Sequence, residues 1–271
     1  MRLRIFPEPN RLPAGGDLPA EATDRLYHRE AFRKPPRRGA AEAFTPAWFE
    51  CIENERYRHQ GYWLPRVLEF AKHGGEVLLA MGEGLGTDWL QYAKYGTEVI
   101  AYSPSQEQLD LIRSHFDLRG LPGRFVHGPP HALPLADNSV DVVCINGMLD
   151  EVEDPAVVVA EVYRILRPGG KCITIAPAKF CAKYWSEAFF PWRRWFAKNT
   201  GTSTGHSATE LKKLFVEFNE HRVTKRHLRR GELPQLWRWL PLPVLERAIG
   251  NYLIIKAFKP VTAALAERMA A

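Results

Sequence analysis

From Glu76 onward, short apolar runs alternate with amphipathic stretches of helical length, and that alternation constrains the fold more than any other feature. The runs are Val77–Ala80, Glu98–Tyr102, Gly123–His127, Val140–Ile145 and Lys171–Ile175. Helical periodicity fills Thr87–Tyr95, Ser105–Arg119 and Pro155–Leu166 between them. Strands of about five residues alternating with helices predict βαβ units and a parallel sheet. The run Val140-Asp-Val-Val-Cys-Ile is nearly continuous in apolar residues, as a strand covered on both faces requires. Arg167-Pro-Gly-Gly-Lys171 predicts a sharp helix exit before the fifth strand. Val223–Leu228 and Tyr252–Phe258 are predicted as the final strands.

Residues 1–45, rich in Pro, Gly, Arg and Ala, read as a flexible arm with one short helix around Ala22–Phe32. Residues 46–75 read as a helical lead-in or lid, with Trp48, Phe49, Ile52, Trp63, Leu68 and Phe70 spaced between charges and a break near Gly61 and Pro65. The α/β domain spans 76–260 and includes a basic, Trp-rich insertion at about 180–245; residues 261–271 form a tail. A capping box, Ser207-Ala-Thr-Glu210, opens a helix near the end of that insertion.

No stretch of the chain approaches the roughly 18–20 consecutive apolar residues of a membrane span. The N-terminus carries Pro and Gly where a signal peptide needs an apolar core, which predicts a cytoplasmic protein. Cys51, Cys144, Cys172 and Cys181 show no CxxC pairing, and two sit in strand-like runs, as buried reduced thiols do. The net charge of +6 is uneven: residues 180–260 hold 15 Lys/Arg against 6 Asp/Glu, whereas 41–179 hold 12 against 19. A basic segment of that kind fits an anionic partner or a solvated surface.

The chemistry concentrates in Val77-Leu-Leu-Ala-Met-Gly-Glu-Gly-Leu-Gly-Thr-Asp88, at the first strand-to-helix junction. Gly82, Gly84 and Gly86 form a GxGxG loop, which lets a ligand approach the backbone because no Cβ intervenes. The helix that follows points its first N–H groups at whatever sits there. Open α/β sheets bind ligands at the carboxyl ends of their strands, where this loop lies.

With this loop the chain resembles the class I S-adenosylmethionine-dependent methyltransferases of the small-molecule methyltransferase domain type. Gly82-Glu-Gly-Leu-Gly-Thr-Asp88, Tyr102-Ser-Pro-Ser105, Ala132-Leu-Pro-Leu135 with Asp137-Asn-Ser-Val-Asp141, Asn146-Gly-Met-Leu149 with Asp154-Pro155, and Leu166-Arg-Pro-Gly-Gly170 match that family's motifs in order. The resemblance is close over Glu76–Pro177 and looser to Pro260. It implies a doubly wound, mostly parallel seven-stranded sheet of Rossmann-like type whose last strand runs antiparallel. It implies S-adenosyl-L-methionine as cofactor, held by Gly82, Glu83, Gly84, Gly86, Ser103, Asn146 and Gly147, with the ribose passing Ser103, the adenine near Pro130, His131 and Ala132 and the acceptor entering beside Asn146 and Gly147. Three acids common in the family are replaced, by Ala80, Ser103 and Pro129.

Methyl transfer from a sulfonium needs alignment and exclusion of water, with a general base only for a weakly acidic acceptor. His206 and His131 are the catalytic candidates, and His127, Asp150 and Glu151 also stand near strand ends. No HxxH, HExxH or CxxC spacing supports a metal site, and no GxSxG elbow supports a nucleophilic serine. The Trp/Arg segments Tyr184–Trp195 and Leu236–Pro243 fit packing onto the sheet, a headgroup-level membrane contact, or base stacking. The resemblance favours a small, amphiphilic or lipid-like acceptor and peripheral membrane contact over nucleic acid. The competing reading is a catalytically silent relative that keeps the fold as a binding or partner protein.

Overall fold

The strands are β1 (Val77–Gly82), β2 (Glu98–Ser103), β3 (Arg124–His127), β4 (Val140–Asn146), β5 (Leu166–Pro177), β6 (Asn219–Arg226) and β7 (Tyr252–Phe258). In the computed structural model they form one sheet in the order β3-β2-β1-β4-β5-β7-β6. The structure describes residues 20–32, 34–35, 41–82, 84–182, 184–185, 205–228, 233, 237 and 239–261. This is the doubly wound, mostly parallel architecture implied above. The chain divides into two compact units, Met1–Pro134 and Leu135–Ala271.

In the first unit β1 pairs parallel with β2, from Val77↔Glu98 to Met81↔Tyr102, and β2 pairs parallel with β3. Among the described residues, three α-helices precede β1: α1 (Ala20–Ala31), α2 (Pro46–Asn54) and α3 (Leu64–Leu68). Thr45 caps α2, its hydroxyl accepting from the Trp48 N–H at 3.3 Å, and Pro46 supplies a pre-set φ for the first turn. A π-helical turn, Glu55–Gln60, follows and stops at Gly61. A Cβ there would lie 2.6 Å from the Arg56 carbonyl oxygen, so the break expected at Gly61 has a steric cause. Helices α4 (Thr87–Lys94) and α5 (Gln106–Leu118) connect the strands, and Ser105 caps α5.

The short helix expected near Ala22–Phe32 is a packed element rather than part of a loose arm. Leu26, Tyr27 and Ala31 are buried in a cluster with Trp48, Phe49, Ile52, Leu85 and Leu111. Each large side chain so buried contributes roughly 1.5–3 kcal/mol. Its partners lie 17 to 85 positions away, which is why local composition did not expose the packing. Residues 1–19, 33 and 36–40 of the expected arm lie outside the described residues.

In the second unit β4 and β5 pair parallel, and β7 pairs antiparallel with both β5 and β6. Helix α6 (Pro155–Ile165) starts at Asp154, whose carboxylate accepts from the Ala156 and Val157 N–H groups. The Arg-Pro-Gly-Gly exit lies inside a strand: Val140 pairs with Leu166, the next pair is Val142↔Lys171, and residues 167–170 bulge out. Gly169 takes φ +82° there, a conformation open to glycine. β6 starts at Asn219, four residues before the apolar signal at Val223, because it is an edge strand whose outward residues are polar. Helices α7 (Ala208–Leu214) and α8 (Leu242–Ile249) complete the unit. Of the expected Trp-rich insertion, residues 183, 186–204, 229–232, 234–236 and 238 lie outside the described residues, as do 262–271 of the tail. Cys144 and Cys172 are buried in β4 and β5, and burial pushes the Cys172 thiol up to about 12. Among the described residues no helix is long and apolar enough to cross a membrane.

Candidate functional site

The glycine loop leaves β1 at its carboxyl end and runs into α4. Gly84 and Gly86 hold φ values of +120° and +70°, which L side chains rarely adopt. Three buried side chains hold the loop's backbone. Gln108 Nε2 donates to the carbonyls of Gly82 (3.2 Å) and Gly84 (3.0 Å). Glu30 Oε1, from α1, accepts from the Leu85 N–H at 2.7 Å. His115 Nδ1 meets the Leu85 carbonyl at 2.9 Å, so it carries the proton of a neutral ring. Burial lowers His115 to about 4, and its imidazole stacks on Phe49 at 3.6 Å between centroids.

Glu30 has a second consequence. A Cβ on Gly84 would lie 1.9 Å from Glu30 Oε1, so glycine is needed here to admit a carboxylate of the chain itself. Beneath the loop, Arg56 and Asp88 form a buried pair. Arg56 Nε donates to Asp88 Oδ1 at 2.8 Å, Nη2 donates to Oδ2, and Nη1 donates to the Glu30 carbonyl at 2.6 Å. Tyr57 adds an O–H bond to Asp88 Oδ1 at 2.7 Å. Burial alone would lower the Arg56 pKa, but Asp88 and Glu30 outweigh it and the net direction is up.

Ser103, expected at a ribose, is fully buried at the end of β2. Its hydroxyl donates to Gln108 Oε1 at 2.7 Å and accepts from the Ser105 N–H at 3.0 Å. With both roles taken, Ser103 holds the Gln108 brace and has no group turned outward. Pro130 is half-buried, while His131 and Ala132 are exposed in a turn closed by the Ala132 N–H to the Pro129 carbonyl. Glu83 lies outside the described residues. Thr87 Oγ1, one residue past the loop, is buried without a hydrogen-bond partner. An orphaned hydroxyl at a helix N-terminus, beside a buried glycine loop, is compatible with a polar ligand there. A cavity lined by Gly96, Thr97, Glu98, Val99, Pro122 and Arg124 opens at the opposite, amino-terminal ends of β2 and β3, which is the wrong end for the strand-end rule.

In the second unit, Asn146 ends β4 and Gly147 follows with φ +77°, its N–H donating to the Ile175 carbonyl at 3.0 Å. His206 stands beyond β5, bridged to Ala178 and followed at once by the Ser207–Glu210 capping box of α7. Its Nε2 lies 2.8 Å from Asp150 Oδ1. At that distance the two side chains form a close ion pair when the ring is protonated. Asp150 raises the His206 pKa above 6.5, against the opposing effect of burial. His206 therefore stabilises the fold below about pH 6.5, and that contribution fades as pH rises through the raised value. The spacing of the sequence indicated Asp150 only as one of several strand-end acids. Glu30, Gln108, His115 and the Arg56–Asp88 pair carried no local signal. Among the described residues, no three His, Cys, Asp or Glu side chains gather as a metal site.

Residues 77–174, from β1 into β5, match the family model described as "Methyltransferase domain". Over those residues the chain is similar to methyltransferase domains. The domain is 38% identical over 107 residues to an uncharacterized 37.1 kDa protein in transposon TN4556 of Streptomyces fradiae, covering 38% of this chain and 30% of that one. It is 36% identical over 100 residues to demethylmenaquinone methyltransferase of Renibacterium salmoninarum, covering 36% of this chain and 40% of that protein. The match thus spans less than half the length of these curated relatives. Among solved structures, the [4+2]-cyclase SpnF superposes with a TM-score of 0.55 at 20% identity, covering 88% of this chain and 92% of that one. A SAM-dependent methyltransferase from Aquifex aeolicus superposes with a TM-score of 0.54 at 16% identity, covering 79% and 98%. At those identities the superpositions speak for the fold.

Proposed function

We propose that the protein is an S-adenosyl-L-methionine-dependent methyltransferase acting on a small, amphiphilic acceptor. The observation that carries this reading is the braced glycine loop at the carboxyl end of β1, inside the segment that matches a methyltransferase domain. The backbone of Gly82–Gly86 and the orphaned Thr87 hydroxyl would hold the cofactor, whose sulfonium supplies a methyl group already activated for displacement. With Ala80 and Pro129 in place of acids and Ser103 turned inward, affinity rests on backbone contacts more than on carboxylates. Calorimetry of the purified protein with S-adenosylmethionine and S-adenosylhomocysteine is expected to give dissociation constants tighter than about 100 μM, near −5.5 kcal/mol. Absence of heat with both ligands would remove the enzyme reading.

That negative result would favour the second reading, a partner or binding protein on the same fold. Ser103 committed to Gln108 and Glu30 lodged against Gly84 support it, and SpnF, named as a [4+2]-cyclase, illustrates that such a fold carries other chemistry.

An amphiphilic acceptor agrees with the name of the demethylmenaquinone relative and with the surface around α8. Trp239 is 90% exposed there, with Leu240 and Val244 also outward, on a basic part of the chain. Peripheral contact with an anionic membrane follows as part of the proposal. Sedimentation with phosphatidylglycerol vesicles is expected to retain the protein, and Trp239→Ser to weaken retention about tenfold. Equal retention of the two proteins would remove the membrane contact from the proposal.

A further inference from the structure

We propose that the cavity at the amino-terminal ends of β2 and β3 binds a free α-amino acid with an apolar side chain, its ammonium at Glu98 and its carboxylate at Arg124. The site lies at the opposite end of β2 from Ser103 and the glycine loop, and it does not depend on the methyltransferase reading. The cavity holds about 320 Å³. Ligand pockets begin at roughly 300 Å³, and a benzene ring already fits a cavity of about 150 Å³.

The walls are mostly apolar: Ala93 from the last turn of α4, Val99 of β2, and Pro122 just before β3. Nothing lies within 4 Å of the position that a Cβ on Gly96 would take, so the space over that turn is open. The turn's own polar groups are spent inside the protein. The Thr97 hydroxyl donates to the His73 carbonyl at 2.9 Å. The N–H groups of Gly96, Thr97 and Glu98 donate to the carbonyls of Ala93, Tyr92 and Glu76. Walls whose polar groups are committed in this way suit an apolar body, because a polar one would lose water without gaining partners.

Charge stands at the rim, and with both signs. Arg124 Nη1 lies 3.6 Å from Glu98 Oε1, and both side chains are more than half exposed. An ion pair so placed contributes little to stability, so a ligand that offers each group a new partner displaces little. An α-amino acid carries an ammonium and a carboxylate on one carbon. It can set an anion against the guanidinium and a cation against the carboxylate while its side chain enters the cavity. A lone anion would stand against Glu98, and a lone cation against Arg124, so the rim selects a ligand bearing both charges. Helix α4 ends at Lys94 beside the cavity, and the negative end of its dipole adds to Glu98 on the ammonium.

L-Phenylalanine is the probe, read by amide NMR shifts of the isotope-labelled full chain. Saturable shifts are expected at Gly96, Thr97, Glu98 and Arg124, with a dissociation constant of about 1 mM or tighter. Arg124→Met and Glu98→Gln alter exposed side chains that the fold tolerates, and each is expected to weaken binding about tenfold. Ala93→Leu, which fills the cavity, is expected to abolish it. L-Alanine, phenylacetate and 2-phenylethylamine each lack the ring, the ammonium or the carboxylate, and each is expected to bind about tenfold more weakly. No shift at about 10 mM probe, or wild-type affinity in both rim variants, overturns the proposal. Phenylacetate or 2-phenylethylamine binding as tightly as L-phenylalanine also overturns it, since the rim would then not read both charges. Shifts confined to Gly84–Gly86 would seat the probe at the glycine loop instead and overturn it as well.

Discussion

Replacing Arg56 by Met lowers the stability of the protein by about 3–5 kcal/mol, the largest single effect expected. The guanidinium is 4% exposed and bound to both oxygens of Asp88, which is equally buried. Removing the cation leaves Asp88 charged and desolvated, with the Tyr57 hydroxyl still bonded to it. It also removes the bond to the Glu30 carbonyl and the guanidinium stacked 4.7 Å from the Phe32 ring. The sign reverses when both charges go. Arg56→Met with Asp88→Leu and Tyr57→Phe is expected to recover most of the loss, since an apolar group of similar volume often replaces a buried pair without penalty. Urea unfolding of the single and triple variants measures this. A single variant that unfolds at the wild-type denaturant concentration would mean the pair is hydrated in solution.

Gly84→Val is expected to destabilise the protein by about 3 kcal/mol and to abolish S-adenosylmethionine binding. Two separable penalties contribute. The backbone at φ +120° is strained for a β-branched residue, roughly 1–3 kcal/mol. The new Cβ would overlap Glu30 Oε1, displacing the carboxylate and stripping the buried Leu85 N–H of its acceptor, about 1–3 kcal/mol more. Glu30→Ala isolates the second penalty, and Glu30→Gln, which keeps an acceptor oxygen, should restore most of it. Thermal denaturation and calorimetry on the three variants separate loop bracing from ligand contact. If Gly84→Val melts and binds as wild type does, the glycine loop is not the cofactor site.

The two variants probe features that differ in how far they can be read from the chain. Six of the seven strands announced themselves because sheet burial imposes apolar runs at fixed spacing, and the run Val140–Ile145 became β4 almost residue for residue. β6 was found only from its apolar half, since an edge strand alternates and its first residues are polar. The glycine loop was legible because a left-handed backbone at a strand end selects one residue type. His206 could be marked as a candidate from its place before a capping box, but nothing in its neighbours along the chain pointed to Asp150, 56 positions earlier.

Local periodicity and backbone chemistry therefore determined the fold class, the loop and the helix starts at Thr45, Ser105, Asp154 and Ser207, because each is enforced by residues within a few positions of one another. Tertiary structure alone decided that α1 is packed, that Glu30 fills the space over Gly84, that Ser103 turns to Gln108, and that Arg56 neutralises Asp88. Those are pairings of polar groups across 26 to 55 positions in the first unit, apart from the local Ser103 brace. A carboxylate or a guanidinium reads the same in sequence whether solvated or buried. Its role is set by which desolvated partner the folded chain brings within about 3 Å, and periodicity carries no record of that choice.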